Sequence, residues 1–214
     1  MAAEQAMRLA GETVLLLGDR ALYRPSREAL LIADLHLGKA DLFRRAGIGL
    51  PRGGTAHDLA RLDALLAARP VRTLWILGDV LHGAVFDAAW RDYWQCWRER
   101  HARIDMVAVR GNHDRALSAD FGLRDAGNRV VDEGFLLRHE PIPDPALHVL
   151  CGHVHPQCEL LGLRRRFPAF WLREGMTVLP AFSHFTAGTT PMLASGERLV
   201  ACVEHEAIAL PPAP

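Results

Sequence analysis

The sequence predicts an α/β protein in which two β-sheets pack face to face with helices outside. Three observations predict it. Up to about residue 128, apolar runs of strand length alternate with segments of helical spacing, the order expected of strand–helix–strand units. Beyond that point helical spacing stops, and strand-like runs follow one another between turns. One apolar run after another ends in Asp, Asn or His.

Taken in order, "TVLLL" (13–17) and "EALLIADLHLG" (28–38) read as buried strands, being apolar on both faces. "ADLFRRAGIGLPRGG" (40–54) fits neither period and reads as a basic loop or flap. From Thr55 to Arg69, Leu59, Leu62, Leu65 and Leu66 recur at helical spacing, and Pro70 closes the helix. "RTLWILGDVLHG" (72–83) is a third strand. "FDAAWRDYWQCWRERH" (86–101) is helical, with Trp90, Trp94 and Trp97 on one face as core packing. "IDMVAV" (104–109) is the next strand, and "RVVDEGFLLRHE", "ALHVLCGHVHP", "PAFWLREGMTVLP" and "ERLVACVEH" supply the rest. No internal repeat interrupts the chain, which reads as a single domain over residues 1–214.

Composition narrows the function. Lys and Arg total 25, as do Asp and Glu, so bulk positive charge does not grip a nucleic acid here. Local basic clusters remain at "FRRAG" (43–47) and "RRR" (164–166). No run approaches the length of a membrane span, and the acidic N-terminus lacks a signal-peptide core, so a soluble cytoplasmic protein is expected. Of the cysteines, Cys151 and Cys158 flank "GHVHPQ", where a zinc knot is conceivable. The paired short spacings of structural zinc sites are absent, and free thiols in a reducing cytoplasm are the preferred reading.

The strand ends carry the chemistry. They present Asp34 and His36, then Asp79 with His82 behind, then Asn112, His113 and Asp114, then His139, then His153 and His155. Ligands of α/β sheets sit outside the carboxyl ends of the strands. Each piece alone has an ordinary explanation as a turn former or a core histidine. Gathered together without a cation they would leave unpaired polar atoms and repelling carboxylates. A pair of divalent metals resolves this. Imidazole, carboxylate and amide without thiolate suit Mn, Fe, Zn or Ni, and two such ions bridged by a carboxylate form a clamp for phosphoester hydrolysis. Asp79 is the natural bridge, because its strand falls in sequence between the other donors.

These residues also carry a resemblance. "DLH" (34–36), "GDVLH" (78–82), "GNHD" (111–114), the single His139 and "GHVH" (152–155) are similar to the five blocks of the calcineurin-like metallophosphoesterase superfamily. The resemblance implies a four-layer α-β-β-α sandwich. It implies one metal on Asp34, His36, Asp79 and His155, and a second on Asp79, Asn112, His139 and His153, with Mn2+ the leading candidate. It makes His113 the general acid, with Asp114 orienting its imidazole, and His82 a support behind the ligands. "DLHLGKADLFRRAGIGLP" (34–51) and "VLPAFSHFTAG" (178–188) further resemble the bacterial ligase-associated DNA damage response endonucleases, also named PdeM. That narrower likeness implies DNA as substrate, a repair setting, and functional association with an ATP-dependent DNA ligase, a helicase and an exonuclease. His184 departs from it, standing where a small polar residue is expected.

Lys39, Arg44 and Arg45 follow the first metal motif closely enough to reach a phosphate, which gives the flap a backbone-binding role. A solvated basic loop is the plain alternative. Three functions compete: a nuclease, a phosphoesterase on small substrates such as cyclic nucleotides or phosphomonoesters, and a non-catalytic scaffold. Retention of every ligand and of His113 argues against the scaffold. Trp171 looks exposed, and a monomer or a homodimer is compatible with the sequence.

Overall fold

A computed structural model describes residues 4–49, 53–83, 89–160 and 162–214. Three residues near the end of the expected flap (50–52) and the start of the tryptophan helix (86–88) lie outside the described residues.

Two sheets form the body. The first runs β1 (Glu4–Leu9), β2 (Glu12–Leu17), β3 (Ala21–Arg24), β4 (Ala29–Ile32), β5 (Thr73–Leu77), β6 (Asp105–Val109) and β7 (Arg124–Asp125), neighbours in space as in sequence. The hairpins β1–β4 are antiparallel, and β4–β7 are parallel. In the second sheet β8 (Arg129–Asp132), β9 (Phe135–Arg138) and β10 (His148–Cys151) lead to β13 (Met176–Val178), β12 (Arg166–Arg173), β14 (Arg198–Val203) and β15 (Glu206–Ala209); β11 (Gln157–Glu159) pairs with β12 off that path. Here β9, β10 and β13 are parallel.

Alternating side chains explain the layers. Leu16, Leu22, Leu31, Leu77, Val107 and Val109 face Phe135, Leu137, Leu150, Phe170 and Val200 of the second sheet in one buried cluster. The opposite faces of β4, β5 and β6, through Leu30, Ile32, Leu74, Ile76 and Met106, pack on Leu59, Leu62 and Leu65 of α2 (Gly54–Ala67) and on Trp94 and Trp97 of α3 (Ala89–Arg100). The tryptophan stripe is therefore core. Among the described residues the helices cover only the first sheet. The far face of the second sheet is closed by chain segments that contribute Leu147, Leu160 and Leu193. Arg24, fully buried, ties β3 to Glu12 at 2.7 Å and to Asp132 of the other sheet.

Two expectations change. Part of the basic loop is a helix, α1 (Lys39–Arg45), whose N-cap Gly38 has φ +80° and lies so close to the Trp90 ring that a Cβ there would stand 2.8 Å from it. Trp171 is half-buried: its indole N–H donates to Glu197 at 2.9 Å. The four cysteines are free thiols, and Cys151 and Cys158 sit in separate apolar clusters.

Candidate metal centre

Parallel strands put their carboxyl ends on one side, and this places the candidate ligands. Asp34 and His36 follow β4, Asp79 follows β5, Asn112 and His113 follow β6, His139 follows β9, and His153 and His155 follow β10. Pairing continues past the strands: Asp34 N–H donates to Gly78 O at 3.2 Å and His36 N–H to Asp79 O at 2.8 Å. The second sheet joins when His153 N–H donates to Asp34 Oδ2 at 2.9 Å and Phe182 N–H to Ala33 O at 2.7 Å.

The backbone there is strained. Asp34, His36, Asp79, His153 and His155 have φ of 55°, 50°, 47°, 73° and 51°. Left-handed backbone costs a residue with a Cβ on the order of 1–2 kcal/mol and persists only where the surroundings hold it. The motif glycines have a simpler reason. A Cβ at Gly111 would lie 2.2 Å from Asp79 Oδ1, and one at Gly152 would lie 2.5 Å from Asp34 Oδ2. Each glycine lets backbone lie directly against a ligand carboxylate.

Side-chain geometry tests whether cations fit. His139 Nδ1 lies 3.2 Å from Leu77 O, which fixes the proton on that nitrogen and turns the Nε2 lone pair inward. Around Nε2 stand Asn112 Oδ1 at 3.0 Å, His153 Nδ1 at 3.0 Å and Asp79 Oδ1 at 3.5 Å. His155 Nδ1 likewise faces Ala187 O at 3.1 Å, leaving Nε2 3.3 Å from Asp34 Oδ1 and 3.5 Å from His36 Nε2. With those two protons directed outward, His139 Nε2 and His155 Nε2 turn their lone pairs toward the Asp79 and Asp34 oxygens. Asp34 Oδ1 is buried with no hydrogen-bond partner among the described residues. These donors fit two cations. Two groups bring their ligand atoms within 4.8 Å of one another, Asp34–His36–His155 and Asp34–Asp79–His139, so Asp34 is common to both while Asp79 falls in the second.

The other expected residues are placed as follows. His82 Nδ1 lies 3.3 Å from His36 Nδ1, and its ring stacks on His113 at 5.0 Å. His113 is at the rim, its N–H donating to Asp79 Oδ1 at 3.0 Å and its Nε2 4.0 Å from Asp79 Oδ2. Asp114 differs from expectation. Its oxygens accept the N–H groups of Leu81 and Gly111, each at 2.9 Å, so it braces the loops after β5 and β6 rather than the His113 imidazole. Lys39 is drawn to the centre: Nζ donates to Thr186 Oγ1 at 3.1 Å, and burial lowers its pKa while Asp34 and Asp79 pull it back up. Arg44 pairs with Asp41 and lines a different cleft, of about 440 Å³, to which no candidate metal ligand among the described residues contributes. Arg45 is exposed. His184 packs its ring on His57 at 4.7 Å.

Two residues, Asp58 and Thr186, were not foreseen. Asp58 caps the His184 N–H at 2.9 Å, pairs with Arg61 at 3.2 Å, and has its pKa raised to about 6 by burial. A signal for it existed, since Asp58 falls on the stripe of Leu62 and Leu65, where a charge needs a buried partner. Thr186 had none, because its contact with Lys39 spans 147 residues.

Burial pushes His36 down to about 2 and His82 to about 4, with nearby Lys39 adding to both, and it lowers His148 and His184. Unfolded imidazoles protonate near pH 6.5. Below that the unfolded chain binds more protons than the folded one, so stability falls with pH. The raised Asp58 and Asp114 act in the opposite sense, since each is protonated more readily when folded. Chelator-treated protein should thus lose thermal stability from pH 7 toward 5, and His36→Gln should flatten that loss in paired melting curves. Parallel curves for the two proteins would count against a neutral His36.

Residues 29–155 match the family model for calcineurin-like phosphoesterases. Among solved structures, Pseudomonas putida nuclease MPE is 39% identical, with 97% of this chain and 100% of that chain covered and a TM-score of 0.85. AQ665 from Aquifex aeolicus, a protein of unknown function, is 20% identical over 59% of this chain and 78% of its own, with a TM-score of 0.42. No curated protein matches. No helix among the described residues is long and apolar enough to cross a membrane. With all of its candidate ligands inside the matched span and the likeness to a nuclease running along nearly its whole length, the chain belongs to the calcineurin-like phosphoesterase family and is a metal-dependent hydrolase.

Proposed function

We propose that this chain is a nuclease that cuts phosphodiester bonds in DNA as a single domain, in a cytoplasmic repair setting alongside an ATP-dependent ligase, a helicase and an exonuclease. The observation that carries the nuclease reading is the convergence of Asp34, His36, Asp79, Asn112, His139, His153 and His155 at one place, with His113 at the rim. The 39% identity to a nuclease supports it. Asp34, His36, Asp79 and His155 would hold one ion, and Asp79, Asn112, His139 and His153 the other, Mn2+ being the metal that best suits the donors. When bound, the pair supplies a positive clamp for the phosphate and an acidified water as nucleophile near neutral pH.

The chain's own residues do the rest. His113 holds a proton at Nε2 and delivers it to the leaving oxygen. Asp79 anchors the His113 backbone, so the acid is registered to the ligands. His82 orients His36, and Asp114 holds the two loops together. Lys39, steadied by Thr186, places its ammonium beside the bound phosphate. Arg44 and Arg45 lie farther along α1 and contact more distant backbone.

That placement separates the nuclease from a small-substrate enzyme. Lys39→Ala should slow both a small model diester and DNA. Arg44→Ala with Arg45→Ala should weaken DNA cleavage alone, similarly for all sequences, and flatten its log–log salt dependence by about 0.7–0.9 per lost contact. If the double variant cuts DNA as wild type does with an unchanged slope, α1 is no DNA surface and the small-substrate reading leads.

A further inference from the structure

A separate polar cleft opens beside Asn112 and His139. Its volume is about 250 Å³, and it is lined by Arg110, Gly111, Asn112, Asn128, Arg138, His139 and Glu140. Two candidate metal ligands thus form one of its walls. The reaction scheme above uses none of its arginines.

Those arginines are unequal. Arg110 is held by Asp125, its Nη2 2.6 Å from Oδ2. Arg138 has no carboxylate within ion-pair distance among the described residues: its Nη1 donates only weakly to Ile142 O at 3.4 Å, and its Nε is buried without a partner. Directly across the β8–β9 ladder from it stands Arg129. Like charges placed opposite one another repel, and a buried guanidinium N–H without an acceptor is costly. Asp144 attracts both arginines through space but forms no ion pair with either among the described residues, and its Oδ1 accepts the N–H groups of Ala146 and Leu147. An anion in the cleft would relieve both costs. The cleft adjoins Asn112 and His139, so that anion would lie next to a phosphate held at the metals.

Given the nuclease reading, we propose that this cleft is a second phosphate subsite, in which Arg138, supported by Arg110, holds the backbone phosphate next to the scissile one. Glu140 at the same wall opposes the anion and sets a limit on its affinity. The subsite makes the enzyme prefer a phosphodiester inside a strand over an isolated one.

The test uses the Mn2+-loaded protein and four chromogenic esters: the p-nitrophenyl ester of thymidine 5′-phosphate with and without a 3′-phosphate, and that of thymidine 3′-phosphate with and without a 5′-phosphate. The readout is the ratio of kcat/KM between the extended and the plain ester, which cancels any general loss of folded or metal-loaded protein. Wild type should favour one extended ester by about tenfold, the worth of one charge-assisted hydrogen bond. Arg138→Gln should bring that ratio to about one, and Glu140→Gln should raise it. A wild-type ratio near one in both series overturns the subsite, as does a ratio that survives Arg138→Gln. Should Arg138→Gln fail to fold, a ratio that Glu140→Gln leaves unchanged or lowers is equally contrary. Cleavage of a labelled oligonucleotide by the same wild-type preparation reports on the nuclease reading separately, so the subsite can fail while that reading stands.

Discussion

Asp79→Ala should abolish phosphodiester hydrolysis, by at least about 10³-fold, and lower occupancy at both metal positions. Two losses combine in that variant. Asp79 Oδ1 lies 3.5 Å from His139 Nε2, in the group that also contains Asp34, so its removal takes a negative ligand from the middle of the centre. The same oxygen accepts the His113 N–H at 3.0 Å, so the general acid loses its anchor as well. Asp79→Asn separates the two, because an amide oxygen can still accept that N–H but brings no charge. Elemental analysis beside turnover of a small diester should find both metals depleted in either variant. If one ion remains at full occupancy, the bridge passes to Asp34, whose Oδ1 lies 3.3 Å from His155 and 3.7 Å from His139.

His113→Ala should keep its metals and lose about 10²–10⁴-fold in the cleavage of ordinary nucleotide linkages, the usual worth of a general acid. The loss should be much smaller for p-nitrophenyl esters, whose leaving group needs little protonation. His113 is placed for this, at the rim with its ring stacked on His82 and its Nε2 facing Asp79. Equal losses with good and poor leaving groups would assign His113 a purely electrostatic part.

Much of this centre was legible because its residues are local to strand ends. A run such as "LLIADLH" names both the strand and what it delivers. Parallel order then brings the ends together, since β4, β5 and β6 on one sheet and β9 and β10 on the other all point one way. What escaped depends on contacts distant in sequence or on weak periods. Helix α1 has seven residues and buries only Ala40, so it leaves little apolar spacing to read. Strand β1 alternates exposed and half-buried residues at a sheet edge, with only Met7 and Leu9 as large apolar side chains on its inner face. Asp114 looked like a partner for its neighbour His113, but the chain turns between them and sends the carboxylate to Leu81 and Gly111. The setting of Arg138 depends on the β8–β9 register, which places Arg129 opposite it, and no local pattern announces that pairing.

The most direct test is to strip the protein with a chelator and titrate Mn2+ back while following cleavage of a labelled single-stranded oligonucleotide. A dinuclear centre built by these strand ends predicts no cleavage without metal, a rise that saturates at two ions per chain, and no recovery at any Mn2+ level for His139→Ala. Saturation at one ion per chain, or cleavage by the metal-free protein, would contradict it.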